Sequence, residues 1–313
     1  MLEYNHYINN INNLKDFVTT VYVIIDDIYQ RITPAKIRNR RNICYSKLSD
    51  SEIITICIVG ELLTIDSEKA WLGFCRKNLK DLFPNFCERS RFNRTRRNLQ
   101  AVIEAIRKEI CMITNAVFQD YRIIDSMPIP VCKFGRAKFH KTFRGYGASY
   151  GKCPSKKETY LGYKLHLLAT LDGFVTDFVV TPANIDDREA MWELINSYRR
   201  IILLGDKGYI GKSTTQQVKK EMGITLIPLQ RDSAKEQLPK DMRQLIFKLR
   251  RRIETSNSQL TEQLNIERVM AKSLWGFITR IKTKLLAHNL CFYINKLIGN
   301  DINVSKIKEL VFG

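Results

Sequence analysis

Histidine is scarce in this chain of 313 residues: only His6, His140, His166 and His288 occur, and no two have the spacing of metal ligands. The eight cysteines are scattered without a C-x-x-C pair. That pattern excludes a clustered zinc site and a disulfide scaffold, and it points to reduced thiols in a cytoplasmic protein. No apolar run approaches the roughly 18 residues that a membrane span needs. The longest, near Val18–Ile25 and Ile53–Val59, are short and carry Thr or Cys. The first residues show no basic stretch followed by an apolar one, so a secretory leader is not expected. No P-loop and no G-x-S-x-G is present.

Acidic residues are also few, 32 against 51 Lys and Arg, for a net charge of +19. The excess is concentrated. Residues 31–100 hold 15 basic and 7 acidic residues, residues 133–164 hold 9 and 1, and residues 240–296 hold 12 and 4. The rest of the chain is net acidic. Concentrated basic charge is the footprint of a polyanion-binding protein, and a nucleic acid is the first candidate. RNA or an anionic membrane surface would suit the charge taken alone.

Residues 1–120 read as helices. Ser49-Asp-Ser-Glu52 before Ile53-Ile54 is a capping box. Leu99, Val102, Ile103, Ile106 and Ile110 form one stripe of a helix expected over Asn98–Thr114. Before it, Arg89–Arg97 holds five arginines in nine residues, resembling a helix-turn-helix recognition segment and placing Arg91, Arg94, Arg96 and Arg97 near DNA. A solvated basic turn stays open as the alternative. At Tyr121 the texture changes. Strands are expected over Tyr121–Val131, Tyr160–Thr170 and Phe174–Thr181, the last two joined by an Asp172-Gly173 turn. Helix, strand, helix and strand follow over Asp186–Tyr198, Arg200–Gly205, Ser213–Met222 and Ile224–Leu229, then helix from Lys240. This order predicts an α/β fold: a mixed five-stranded sheet with flanking helices, as in the RNase H-like fold, preceded by an all-helical N-terminal region. Expected domains are 1–120, binding DNA ends, 121–300, catalytic, and a tail over 301–313.

Three acids stand out by position. Asp125 follows Ile123-Ile124 in the first strand, where an unpaired charge is costly. Asp206 ends the buried strand Leu203-Leu204-Gly205, and strand ends face the usual ligand crevice. Glu254 flanks the apolar stripe Met242, Leu245, Ile246, Leu249 and Ile253 of the late helix. Carboxylates are the ligands that hard divalent cations prefer, and two such ions stabilise the attacking and leaving oxygens in phosphodiester transfer. Lys164 and His166 share what alternation reads as the polar face of their strand, and contact with DNA is one reading of that face. Asp186 and Asp187 read as a helix cap. The segment Lys133–Glu158 is long for a connection. It interleaves Lys138, Lys141 and Arg144 with aromatics that can stack on bases. Its glycines predict a segment that is poorly ordered until DNA binds.

Residues 121–295 resemble the DDE transposase domain of bacterial insertion sequences. The phrases that carry the resemblance are Tyr121-Arg-Ile-Ile-Asp125-Ser, Gly162-Tyr-Lys-Leu-His166, Thr181-Pro-Ala-Asn-Ile-Asp-Asp187, Gly205-Asp-Lys-Gly-Tyr209 and Arg252-Ile-Glu254-Thr. Over its whole length the chain is most similar to the insertion-sequence nine-eighty-two family. The resemblance implies a catalytic and metal-binding triad of Asp125, Asp206 and Glu254 with two Mg²⁺ or Mn²⁺ ions. It implies double-stranded DNA as partner, both the element's terminal inverted repeats and the target, with a homodimer on DNA, no membrane, and a nucleoid-associated location. Related groups carry Tyr, Arg, Glu and Lys on the last helix. Here Arg250, a DNA-contact candidate, and Glu254 match, while Phe247 and Thr261 replace the Tyr and the Lys. A structure-specific nuclease of the same fold and a non-catalytic DNA-binding repressor are the rival readings.

Overall fold

The computed structural model describes residues 13–153, 156–209, 211–228 and 239–299, with Ile11, Lys306 and Leu310. It divides into two compact units, residues 1–114 with 259–313 and residues 115–258. This cuts the chain differently from the linear division 1–120, 121–300 and 301–313. Most of the tail 301–313 lies outside the described residues.

The first unit is helical: α1 Leu14–Ile32, α2 Ala35–Arg38, α3 Asp50–Leu62, α4 Glu68–Asn78, α5 Arg89–Asn98, α6 Gln100–Ile113 and α10 Leu274–Leu297. α3 opens on the expected capping box, with Ser49 and Glu52 each accepting from the other's backbone N–H. The single helix expected over Asn98–Thr114 is α6, and the arginine run forms its own helix, α5, separated from α6 at Leu99. α10 is buried nearly all round, from Phe277 to Asn295. A helix with almost no exposed face must lie inside a bundle, and this one packs on α3 and α6. That is why the late helix belongs to the N-terminal helices. Three charges are buried with it: Arg280 donates to both carboxylate oxygens of Glu61 at 2.9 Å each, and Lys284 donates to Glu61 and to Leu264 O.

The second unit is α/β. Its strands are β1 Tyr121–Lys133, β2 Ser149–Cys153, β3 Glu158–Thr170, β4 Val175–Pro182, β5 Ile202–Gly205 and β6 Thr225–Pro228. Its helices are α7 Asp187–Ile195, α8 Lys212–Met222 and α9 Lys240–Ser258. β1 is antiparallel to β3 on one edge and parallel to β5 on the other, and β6 extends the sheet beyond β5. β5 pairs with β1 only at Tyr121–Ile123, so Pro128 and Pro130 sit where the second edge carries no described ladder, as prolines must. The Asp172-Gly173 turn closes the β3–β4 hairpin, with Gly173 at φ +97.

The sheet has six strands rather than five. β2 arises inside the Lys133–Glu158 segment and pairs with Glu158–Gly162, while β4 occupies the rest of that edge of β3. A small cluster of Cys153, Tyr160 and Ala183 anchors β2. A Cβ at Gly151 would lie 2.7 Å from Ala183 and 2.8 Å from Tyr160, so only glycine fits there. Elsewhere the segment forms 3₁₀ turns over Phe134–Phe139 and Arg144–Tyr146. Tyr163 OH donates to Tyr146 O at 2.8 Å, and buried Phe143 stacks on His140. The described part of the segment is therefore folded in the free chain, contrary to the expectation from its glycines. Pro154, Ser155 and the Arg144 side chain lie outside the described residues.

Alternation along β1 sorts two faces of the sheet. Ile124 and Leu168 pack with Met191, Leu194 and Ile195 of α7 and Val218 of α8. Ile123, Ala169 and Leu204 pack with Leu249 and Ile253 of α9. Asp125 therefore points to the α9 side and Ser126 to the α7 side.

Candidate active site

Asp125 lies in β1 two residues past the last pairing with β5, with β3 on its other edge and Asn257 of α9 against it. Its Oδ1 accepts from Ser126 N at 2.8 Å, and its Oδ2 accepts from Asn257 Nδ2 at 2.8 Å. Burial pushes its carboxyl up to about 6, helped by the negative charges of Asp206 and Asp187 and opposed by Arg250. Asp206 follows the last residue of β5. Glu254 lies on α9, one turn beyond Arg250 and one before Asn257, so all three share one stripe, on which Arg250 is buried and Glu254 is exposed.

Arg250 links two of the acids. Its guanidinium is buried and lies 3.5 Å from Asp206 Oδ1 and 3.9 Å from Glu254 Oε1. Arg250 Nε has no hydrogen-bond partner. Asp206 and Glu254 thus meet at one arginine, and Asp125 feels the charges of that arginine and of Asp206. They do not form a ready-made ligand cage: among the described residues no three of His, Cys, Asp and Glu are grouped to hold a metal ion. Glu254 is more than half exposed. The donor set is all carboxylate oxygen, which fits a hard divalent cation. Crowded negative charge around a carboxyl titrating near 6 is the strain that such a cation relieves.

On the opposite face a second polar cluster backs the first. Asp187 Oδ1 accepts from Lys164 Nζ at 2.8 Å and Ser126 Oγ at 3.2 Å, and His166 Nδ1 lies 3.8 Å away. Asp186 takes the capping position of α7, accepting from Arg188 N at 2.9 Å, as expected of one member of that acid pair. Sequence reasoning does not separate Asp187 from it, although a signal exists: a helix start needs only one capping acid. It also passes over Asn257, which stands three residues past Glu254.

His166 departs from the alternation. β3 is covered on both faces, so His166 is fully buried, bonded to Thr181 Oγ1 at 2.9 Å. Burial holds its imidazole down near 4, partly offset by Asp187, so it stays neutral. Lys164 is likewise paired with Asp187 and mostly covered.

The phrase Gly205-Asp-Lys-Gly-Tyr209 acquires a local reason. Tyr209 N donates to Asp206 O at 3.0 Å, closing a 3₁₀ turn that buries the Tyr209 ring against Gly205. A Cβ at Gly208 would lie 3.0 Å from Asp187 Oδ2. Glycine there lets the Asp206 turn approach the Asp187 cluster.

In the helical unit, Arg91 and Arg94 of α5 are exposed. Arg96 is instead buried, 3.2 Å from Glu68, and the Arg97 guanidinium lies over the Trp275 ring at 5.5 Å. On the long segment, Lys138 and Lys141 are exposed among exposed Phe134, Phe139, Tyr146 and Tyr150.

A family model described as transposase DDE domain matches residues 115–274, from just before β1 to the first residue of α10. No curated protein and no solved structure matches the chain.

Proposed function

The chain belongs to the transposase DDE domain family, and from that premise we propose that it cuts DNA at the ends of an insertion sequence and joins them to target DNA, with Asp125, Asp206 and Glu254 as its metal-binding acids. The observation that carries this reading is Arg250 set between Asp206, at the carboxyl end of β5, and Glu254 on α9, with the raised Asp125 carboxyl feeling the charges of Arg250 and Asp206. Two Mg²⁺ or Mn²⁺ ions would supply charge to the attacking and leaving oxygens and make a bound water or 3′ hydroxyl a stronger nucleophile. The chain's own residues do the positioning. Asn257 fixes the Asp125 carboxylate by donating to Oδ2, and Ser126 N fixes its other oxygen. Arg250 neutralises Asp206 and Glu254 until the acids are needed as ligands. Strand-transfer assays on DNA bearing candidate end sequences test the reading. Cleavage without joining would favour a nuclease, and binding without either would favour a repressor. Membership of the insertion-sequence nine-eighty-two group and a homodimer on DNA are parts of the same proposal.

Asp187 supports the site from behind β1 through Ser126 and Lys164. Groups that orient metal ligands typically cost 10–100-fold in activity or metal affinity when removed. Asp187→Asn is therefore expected to slow cleavage by roughly that factor, without abolishing it. Full loss would place Asp187 among the ligands, and no change would remove it from the mechanism.

DNA ends are assigned to the helical unit. Arg91 and Arg94, with Arg89 at its start, are the solvent-facing arginines of α5, whereas Arg96 holds Glu68 and Arg97 holds Trp275. Arg91→Ala with Arg94→Ala should weaken binding to end-bearing duplex and lower the salt slope by about 0.9 for each phosphate no longer neutralised. An unchanged slope in a binding titration would move the end-binding surface elsewhere. A fragment ending at residue 120 lacks α10 and is not a fair test, because α10 fills the unit's core.

Target DNA is assigned to the Lys133–Glu158 segment, whose exposed aromatics and cations face solvent together. Neutralising Lys138, Lys141 and Arg144 is expected to reduce strand transfer more than end binding. Equal loss in both assays would count against this placement.

A further inference from the structure

Between α2 and α3 the chain makes a basic loop that no part of the proposed site uses. Residues 34–49 hold five basic residues and no acid. Two of the five are committed to the fold. Arg40 donates to both carboxylate oxygens of Asp50, at 2.5 and 2.6 Å, and to Ile37 O at 3.1 Å. Arg38 donates to Gln30 Oε1 at 3.2 Å. Asp50 is 4% exposed and also accepts from Tyr29 OH at 2.8 Å, so a buried acid at the start of α3 clamps the root of the loop. The other three cations, Lys36, Arg41 and Lys47, are exposed and have no acid partner among the described residues.

The clamp fixes what the loop presents. Beyond Arg40 the chain turns through Asn42 in the left-handed region, φ 64, which asparagine tolerates better than most side chains. A 3₁₀ turn over Ile43–Tyr45 follows, closed by Ser46 N donating to Ile43 O at 2.9 Å. Ser46 Oγ then donates to Leu48 O at 2.6 Å, and the buried Leu48 side chain ties down the far end. The Tyr45 ring stands at the tip, 81% exposed. A lone exposed aromatic needs no explanation by itself. This one is held on a braced turn, with Arg41 before it and Lys47 after it. An all-basic loop on a chain of net charge +19 repels a second copy of that chain and attracts a polyanion.

We propose that the loop Asn39–Lys47, with Lys36 of α2, is a minor-groove contact for duplex DNA, separate from the arginines of α5. Lys36, Arg41 and Lys47 meet phosphates, and the Tyr45 ring enters the groove between them and lies against the deoxyriboses. The minor groove is about 6 Å wide and walled by the two phosphate backbones, which suits one ring flanked by cations; the major groove, about 12 Å wide, is the one that admits a helix. The phosphate contacts fix register, and the narrow groove of A·T-rich steps gives the tightest fit. The choice of DNA over RNA rests on the transposase reading and has a geometric consequence. The minor groove of duplex RNA is wide and shallow, so a single ring gains little there.

The test uses the full chain and a labelled short A·T-rich duplex, followed by fluorescence anisotropy, with duplex RNA of the same sequence, phosphatidylserine vesicles and the minor-groove ligand distamycin as competitors. Arg41→Ala with Lys47→Ala is expected to weaken duplex binding about tenfold and to lower the salt slope by about 1.8, roughly 0.9 for each cation. Lys77→Ala with Lys80→Ala removes the same charge elsewhere on the unit and is expected to cost much less. Tyr45→Ala is expected to weaken binding severalfold with the salt slope unchanged, and Tyr45→Phe to bind as wild type, because the ring and not the hydroxyl makes the contact. Distamycin is expected to weaken the wild type and to leave Tyr45→Ala unchanged. Equal losses for the two alanine pairs would show diffuse surface attraction and overturn the loop as a contact. Tyr45→Ala binding as wild type, or losing as much on duplex RNA as on duplex DNA, would overturn the minor groove. Competition by the vesicles that depends on Tyr45 as strongly as duplex binding does would overturn DNA in favour of a membrane surface. Metal-dependent cleavage of end-bearing DNA by the wild type is scored in parallel. Cleavage by the wild type with undiminished duplex binding by the loop variants sinks the loop alone, and absence of both cleavage and duplex binding in the wild type sinks the transposase reading with it.

Discussion

Asp125→Asn, Asp206→Asn and Glu254→Gln should each lower Mg²⁺-dependent cleavage of end-bearing DNA by at least about a thousandfold, a loss of roughly 4 kcal/mol of transition-state stabilisation. Each change removes one ligand charge and keeps the side-chain shape, so DNA affinity in a filter-binding assay should stay close to wild type. Near-normal cleavage by any one variant removes that residue from the site. The Asp125 variant carries a second expectation that distinguishes a functional carboxylate from a structural one. Its carboxyl titrates near 6 in the fold because burial, Asp206 and Asp187 all penalise the charge, against about 3.9 in an unfolded chain. A raised value means that the folded state binds the proton more tightly. The stability tied to that proton is fully present below about 3.9 and is lost as pH rises through 6. At neutral pH the ionised Asp125 therefore costs the metal-free fold up to about 3 kcal/mol. Asp125→Asn should raise the melting temperature of metal-free protein at pH 8 and change it little near pH 4. Added Mg²⁺ should stabilise the wild type and not the variant. A lower melting temperature for the variant at pH 8 would mean that Asp125 serves the fold itself.

Much of the proposed site is legible in the chain without coordinates. Asp125 is legible because a charge after two buried β-branched residues has few explanations. Asp206 is legible because it ends a short apolar strand, and Glu254 because of the helical stripe beside it. What escapes depends on pairing between distant residues. β2 pairs only with Glu158–Gly162, and its Ser-Tyr-Gly-Lys-Cys pattern has no apolar alternation of its own, so nothing local marks it. His166 reads as exposed because alternation assumes one wet face, yet β3 carries β1 on one edge, β2 and β4 on the other, and packed layers on both faces. Asp187 and Asn257 are invisible as partners because they reach Ser126 and Asp125 across the sheet and helix, not along the chain. The apolar pattern of α10 predicts burial but cannot name α3 and α6 as what buries it.

Glu61→Gln is expected to destabilise the helical unit by about 3–5 kcal/mol, the usual cost of removing one partner from a buried charge network. Glu61 sits in α3, 5% exposed, and balances two cations of α10, Arg280 and Lys284, which are also buried. Burial alone would push its carboxyl up; Lys284 and Arg280 overcome that and hold it down near 2. Its contribution is therefore present above the unfolded value of about 4.3 and is lost only as pH falls through 2. Replacing the carboxylate with an amide leaves two buried cations sharing no anion, and the backbone carbonyls of Leu264 and Val269 cannot neutralise them. Urea unfolding followed by the fluorescence of Trp71 and Trp275, the two tryptophans of this unit, measures the loss. A loss below about 1 kcal/mol would show that water reaches the cations and that the network is not closed. Replacing all three charges at once, Glu61→Leu with Arg280→Met and Lys284→Met, should recover most of the stability, since apolar groups of similar volume are often as good as a buried ion triad. If the triple variant instead loses as much as Glu61→Gln, the charges specify how α10 seats on α3 rather than only compensating each other.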